Sequence, residues 1–136
     1  MCWAAKITVA SAEEYRAAAE EVVAQLRHDL GVELKYDEQS IEWLDGYINR
    51  IRTQLDKKTY RGLAAALGAY VGETIIAMYG GTWHYFEKLD QWGIRLPDGN
   101  GAFPAAKIYK QLEDPEFDSI LSFFTILPKL RDHVNR

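Results

Sequence analysis

The stretch LAAALGAYVGETIIAMYGGTWHYF, residues 63–86, decides the fold, because the 22 residues 62–83 carry one charged side chain, Glu73. Over residues 63–79 the side chains are mostly helix formers or small. Apolar groups fall on every side, with Tyr60, Leu67, Val71, Ile75 and Met78 along one stripe and Leu63, Tyr70 and Ala77 along another. A helix that is apolar all round is buried all round, so this segment is the predicted centre of the core. Ala65, Gly68, Ala69 and Gly72 lie three and four apart and share a ridge without bulk, where another element can approach the backbone closely. An interior glycine costs about 1 kcal/mol relative to alanine, a loss that such close packing offsets. Gly80 and Gly81 then end the helix, since glycine adopts positive φ readily. A membrane span wants ~20 apolar residues. This run holds 17 before the glycine pair and is interrupted by Glu73, and amphipathic segments flank it, so it reads as a buried helix.

Beyond the glycines the hydrophobic period changes to two. Residues 82–86 and 92–96 are rich in aromatic and β-branched side chains and read as a hairpin turning through residues 87–91. Pro97, Asp98, Gly99, Asn100 and Gly101 form a second turn, after which Ala102 and Phe103 make a short third strand. The result is an antiparallel three-stranded meander whose aromatic face, drawn from Trp83, Tyr85, Trp92 and Phe103, packs on the central helix or on the helix before it. Pro104 introduces a short helix over residues 105–112 with Ile108 and Leu112 inward. Asp114 with Pro115 marks the start of a last helix, carrying Phe117, Ile120, Leu121, Phe124 and Leu127 on its apolar face and kinked or restarted at Pro128.

Upstream of the central segment, Ser11 with Glu14 three residues on makes a capping box for a helix ending at Gly31. Its inner face is Tyr15, Ala19, Val22, Leu26 and Leu30. Residues 1–10 are a short strand or an extended lead. Asp37 caps a second helix in which Ile41, Leu44, Ile48, Ile51 and Leu55 recur at three and four, widened by Trp43 and Tyr47. Arg50, Arg52, Lys57 and Lys58 gather at its C-terminal end, where the macrodipole favours cations, and read as a solvated face. The whole is one α+β domain over residues 1–136, a helical bundle around a buried central helix packed with the small meander.

At 136 residues the chain is long enough to bury a core without staples. Its net charge of −4 and pI near 5.4 argue against a nucleic-acid footprint, which needs a basic face, and suit a basic protein partner. A single cysteine, Cys2, rules out an intrachain disulfide and fits a reducing compartment. The opening MCWAAKITVASAEEY has no basic n-region followed by an apolar h-region, so a cytoplasmic protein is expected.

No reactive set stands out. Asp98 and Asn100 are spaced like calcium-loop ligands, but the sixth and twelfth positions of such a loop hold Phe103 and Tyr109, so the segment is a turn. Gly68 and Gly72 lie inside a helix, away from the free N–H groups a phosphate loop uses. His28, His84 and His133 lack second ligands at metal spacing, and no metal or cofactor is expected. Glu73 is the residue that a purely structural account strains to cover, because a carboxylate in an apolar helix costs several kcal/mol unless paired or hydrogen-bonded. Arg95, Arg61 and Lys107 are the cations considered for it, with Tyr and Trp groups as alternative donors. The other reading gives Glu73 a ligand-binding or catalytic role.

Read together, residues 68–73 (Gly-Ala-Tyr-Val-Gly-Glu), 80–83 (Gly-Gly-Thr-Trp), 93–97 (Gly-Ile-Arg-Leu-Pro), Phe103-Pro104 and Asp118-Ser119-Ile120 resemble an uncharacterised bacterial domain family. Its pattern is a helix ending in Gly-Glu, a Gly-Gly-x-Trp lead into a small sheet, and a Pro-linked helix. The resemblance covers roughly residues 63–124. It implies an α+β fold and directs attention to Glu73, Trp83 and Arg95 without assigning a role; some similar small acidic bacterial proteins act as immunity proteins beside toxins. Two functions follow as expectations. The first is a non-enzymatic cytoplasmic binding module, with a toxin or other basic protein as partner. The second is a small-molecule-binding or hydrolytic enzyme using Glu73, His84 and Arg95 in a cleft between helix and sheet. The candidate binding residues are Glu73, Trp83, His84 and Arg95.

Overall fold

Helix α1 (Ala12–Leu30) starts where Ser11 can cap it. In the computed structural model, which describes residues 11–116 and 119–134, the Ser11 hydroxyl accepts from the Glu14 N–H at 3.2 Å and Gly31 at φ 67° closes the last turn. Helix α2 (Glu38–Ile51) likewise begins at Asp37, whose carboxylate accepts from the Ser40 N–H at 2.9 Å. Its periodic face becomes core at Ile41, Leu44 and Ile48, each fully buried. The α-helix stops four residues before Leu55, passing into a 3₁₀ turn at Arg52–Gln54. Arg52 then uses the basic end of α2 structurally, donating to the carbonyls of Leu112 (2.9 Å) and Glu113 (3.2 Å) at the end of another helix.

The central helix α3 (Tyr60–Tyr79) is buried on every side from Leu63 to Val71, except at Ala65. It is long and apolar enough to cross a membrane, yet most of the apolar window is covered by the rest of the fold. Packing follows the small-residue ridge. A methyl group at Gly68 would lie 2.8 Å from Ala105 Cα, so α4 (Pro104–Glu113) meets α3 nearly backbone to backbone, and one at Gly72 would collide with the Trp83 ring. α1 packs along α3 as well. Burial does not extend to the C-terminal turn: Ala77 and Met78 are exposed, because that turn is covered on one side, by the Tyr79 ring against Phe124 at 4.9 Å. Leu30, at the last turn of α1, is also exposed instead of inward. Tyr70, fully buried, donates its hydroxyl to the Lys35 carbonyl and so ties α3 to the loop before α2.

Helix α5 (Ile120–Val134) does not start at Asp114 and Pro115, which lie outside it. Its N-terminus is capped locally by Ser119, whose hydroxyl accepts from the Ser122 N–H at 3.3 Å, and by distant side chains. Gln111 Oε1 accepts from the Ile120 N–H at 2.7 Å, and Asp45 Oδ1 accepts from the Leu121 N–H at 3.3 Å and the Ser119 hydroxyl at 2.8 Å. Gln111 Nε2 in turn donates to Asp45 Oδ1 (3.1 Å) and Asn49 Oδ1 (3.0 Å), joining α2, α4 and α5 in one part-buried network around buried Gln111. Ile120, Phe124 and Leu127 face the core as the pattern requires, and the helix continues through Pro128. Phe117 and residues 1–10 lie outside the described residues.

The sheet is antiparallel in the order β1-β2-β3, with β1 Thr82–Phe86, β2 Gln91–Arg95 and β3 Gly101–Ala102. The second and third strands sit one residue earlier than their hydrophobic pattern suggested. A 3₁₀ turn at Glu87–Leu89 and Asp90 at φ 49° complete the first connection, pairing Phe86 with Gln91. Gly80 (φ 86°) and Gly81 (φ 112°) make the exit from α3 with positive φ. A side chain at Gly81 would lie 2.7 Å from the Arg95 carbonyl, so β2 also needs glycine there.

Candidate functional site

Side chains alternate across a strand, and that parity distributes the four candidate residues. Trp83 and Tyr85 point to the helical side with Trp92 and Ile94; His84, Phe86 and Arg95 point away. Phe103 joins the outer group, with its ring 5.0 Å from Phe86 and close over Gly93, so it is not part of the aromatic face that packs on the helices. The structure therefore brings Glu73 to Trp83 and His84 to Arg95, as two pairs on opposite faces of the sheet.

On the helical side, Gly72 leaves room for the Trp83 indole to lie across α3. Its Nε1–H then donates to Glu73 Oε2 at 2.7 Å. Glu73 Oε1 is 3.6 Å from Arg16 Nε, and the carboxylate side chain is 16% exposed against 67% for Arg16. The cation at Glu73 is thus Arg16 of α1, not Arg61, Arg95 or Lys107, because α1 is the element that runs along this flank of α3. Tyr15, the neighbour of Arg16, stacks on Trp83 with centroids 3.8 Å apart and planes 9° from parallel. Trp92 sits 5.7 Å from Tyr15 and 5.9 Å from Tyr85, which donates its hydroxyl to Asp90. Tyr15, Trp83 and Trp92 are half-buried and Tyr85 is exposed, forming an aromatic ledge. Burial pushes the Tyr15 hydroxyl up to about 12.

Tyr15 brings the ledge to α1, which lies in the acidic part of the chain. Residues 11–42 hold nine acidic and three basic side chains, a net of −6, whereas the rest holds eleven acidic and thirteen basic, a net of +2. Glu13, Glu14, Glu20 and Glu21 are all exposed on α1, spaced by seven, and share its outer side with Ala17 and Ala24. Neither Tyr15 nor Arg16 was singled out by the sequence reading; Tyr15 appeared only as a core position, and no local pattern links the first turn of α1 to Glu73.

On the outer face, Arg95 Nη2 donates to His84 Nε2 at 2.9 Å. The guanidinium carbon lies 5.6 Å from the centroid of Phe86, and the His84 ring meets Phe86 edge-on at 4.8 Å. These residues and the turn after β1 line a cleft of about 580 Å³, which includes Glu87, Lys88 and Leu89. Among the described residues, no three metal-ligating side chains come together.

No family model, curated protein or solved structure matches the chain.

Proposed function

We propose that this chain is a small non-enzymatic binding module of the cytoplasm that receives a basic protein, with a toxin held inactive by the complex as the partner class to test first. One observation carries the reading: the aromatic ledge of Tyr15, Trp83, Trp92 and Tyr85 begins on the same helix that presents the Glu13, Glu14, Glu20 and Glu21 stripe. Tyrosine and tryptophan are the side chains that anchor protein interfaces, and complementary charge around them steers the encounter. The resemblance to an uncharacterised bacterial domain family, with some similar small acidic bacterial proteins acting as immunity proteins, agrees with this reading. A hydrolytic or small-molecule site built from Glu73, His84 and Arg95 together has less support, since Glu73 is engaged by Trp83 and Arg16 and the other two lie across the sheet.

Affinity capture from the source cytosol followed by crosslinking tests this. The expected result is a basic protein crosslinked to α1 and β1, lost from a Glu20→Lys/Glu21→Lys variant with unchanged melting temperature and weakened by salt. Failure to capture any partner, or capture of the same partner at equal strength by the charge-reversed variant, overturns the proposal.

A further inference from the structure

Arg95 is a cation without a counterion among the described residues. Among the described residues no carboxylate pairs with it, and what it touches instead is an imidazole nitrogen and an aromatic face. Because a guanidinium is always protonated and only donates, His84 Nε2 must accept, which places the imidazole proton on Nδ1 and leaves the ring neutral. The contact spends one of five N–H donors. Phe86 beneath the guanidinium holds its plane, and Phe103 against Phe86 holds that ring in turn. The result is a guanidinium oriented by its neighbours, with most of its donors directed to solvent at the rim of the cleft.

We propose that this outer cleft binds a small organic acid, with its carboxylate on Arg95 and its apolar or aromatic body lying along Phe86 and Leu89. Three features select that class. A planar guanidinium fork matches a carboxylate with two parallel N–H···O bonds. Phe86 and the exposed Leu89 supply apolar walls, and the cleft, at about 580 Å³, falls in the size range of small-molecule sites. Arg95 and Lys88 against Glu87, with His84 neutral, leave a net charge of +1 at the lip, which suits a monoanion better than a phosphate dianion. Tyr85 borders both this cleft and the aromatic ledge, but Arg95, His84 and Phe86 lie on the face of the sheet opposite Trp83 and Trp92, so the acid site does not depend on a protein partner at the ledge.

Titration followed by NMR, using phenylacetate, its neutral analogue phenylacetamide and inorganic phosphate, decides the matter. Phenylacetate should bind saturably and shift the His84, Phe86 and Arg95 side-chain resonances. Phenylacetamide should bind at least about tenfold more weakly, the loss expected when a charge-assisted pair becomes a neutral one, and phosphate should also be weaker than phenylacetate. Arg95 is exposed, so Arg95→Gln should keep its melting temperature while losing phenylacetate binding. Should that variant fail to fold, Arg95→Lys takes its place, retaining the charge without the fork and binding with intermediate strength. Equal affinity for acid and amide, phosphate binding as tightly as phenylacetate, no saturation, or undiminished binding by the Arg95 variants would each overturn the assignment.

Discussion

Replacing Glu73 separates the two groups that hold it. Its partners are unequal: the Trp83 N–H is part-buried and 2.7 Å away, whereas Arg16 is 67% exposed and 3.6 Å away. An exposed ion pair of that kind contributes about 0–1 kcal/mol, and a hydrogen bond to a charged acceptor about 1.5–3 kcal/mol against about 1 for a neutral one. Glu73→Gln keeps an acceptor for the indole and loses only the charge, so it should cost about 1–2 kcal/mol. Glu73→Ala leaves the Trp83 N–H without a partner and should cost about 2–3 kcal/mol, while Arg16→Ala should cost less than about 1 kcal/mol. Urea denaturation reads these values directly. With a slope of about 2 kcal/mol per molar urea, Glu73→Gln should lower the midpoint by roughly 0.5–1 M and Glu73→Ala by clearly more. Raising salt should diminish the Arg16 effect and leave the Trp83 part, since only the exposed pair is screened. A glutamine variant as unstable as the alanine variant, or an Arg16→Ala loss as large as that of Glu73→Ala, would refute the assignment of Trp83 as the dominant partner.

Gln111→Leu should destabilise by about 2 kcal/mol, chiefly because it leaves the buried Ile120 N–H without its acceptor, while part-buried Asp45 keeps other donors and exposed Asn49 can turn to water; thermal or urea unfolding measures it. Two glycine-to-alanine changes in helices should have opposite signs. Gly72→Ala drives a methyl into the Trp83 ring and should cost about 1–3 kcal/mol, whereas Gly46→Ala meets only the flexible Arg50 Nη1 at 3.2 Å and should gain roughly 0.5–1 kcal/mol from helix propensity. Melting temperatures that move in the same direction for both would remove the steric account of the ridge. Burial raises the hydroxyl of Tyr70 to about 12, above its unfolded value of 10.0. The folded state therefore binds the proton more tightly, the stabilisation is complete below pH 10, and it should be lost between pH 10 and 12 at up to about 1.4 kcal/mol per pH unit, with half-buried Tyr15 adding a smaller loss. Denaturation midpoints across that range, with tyrosinate absorbance followed in parallel, test the slope.

The parts of the fold that were legible in the sequence are those decided by neighbours in the chain. Ser11 and Asp37 cap the helices they precede because a cap is a contact three residues long, and α3 is central because beyond Arg61 in its first turn no charged side chain except Glu73 resists burial. The small-residue ridge even indicated where another element would come closest, and Ala105 and Trp83 occupy it. The start of α5 was not legible for the converse reason. Asp114-Pro115 has the local form of a helix start, yet the donors that need satisfying belong to Ile120 and Leu121. Their acceptors are Gln111 and an Asp45 carboxylate 76 residues before Leu121. Ser119 offers a second local cap, accepting from the Ser122 N–H, and the tertiary acceptors select it over Asp114. The exposure of Met78 has the same origin, since periodicity marks an apolar stripe but not the point at which its covering runs out.

For the site, the sequence contained more than a search for reactive groups extracts. Glu73 had to have a partner, but Arg16 sits on a helix whose packing against α3 no local pattern announces, so its identity waited for the structure. The division between the two surfaces is different, because strand parity alone contains it. Once residues 82–86 are a strand and Gly72 makes room for Trp83, the Trp83 side chain faces the helix and its neighbour His84 cannot. Arg95 pairs with Thr82, which has the parity of His84, and therefore follows His84 to the outer face. A cleft uniting Glu73, His84 and Arg95 was thus in conflict with the strand that carried two of its members. The same parity leaves Glu73 and Trp83 to stabilise the helical side and Arg95, unpaired with any carboxylate among the described residues, on the other, so stability and the proposed acid binding should be alterable independently, one on each face.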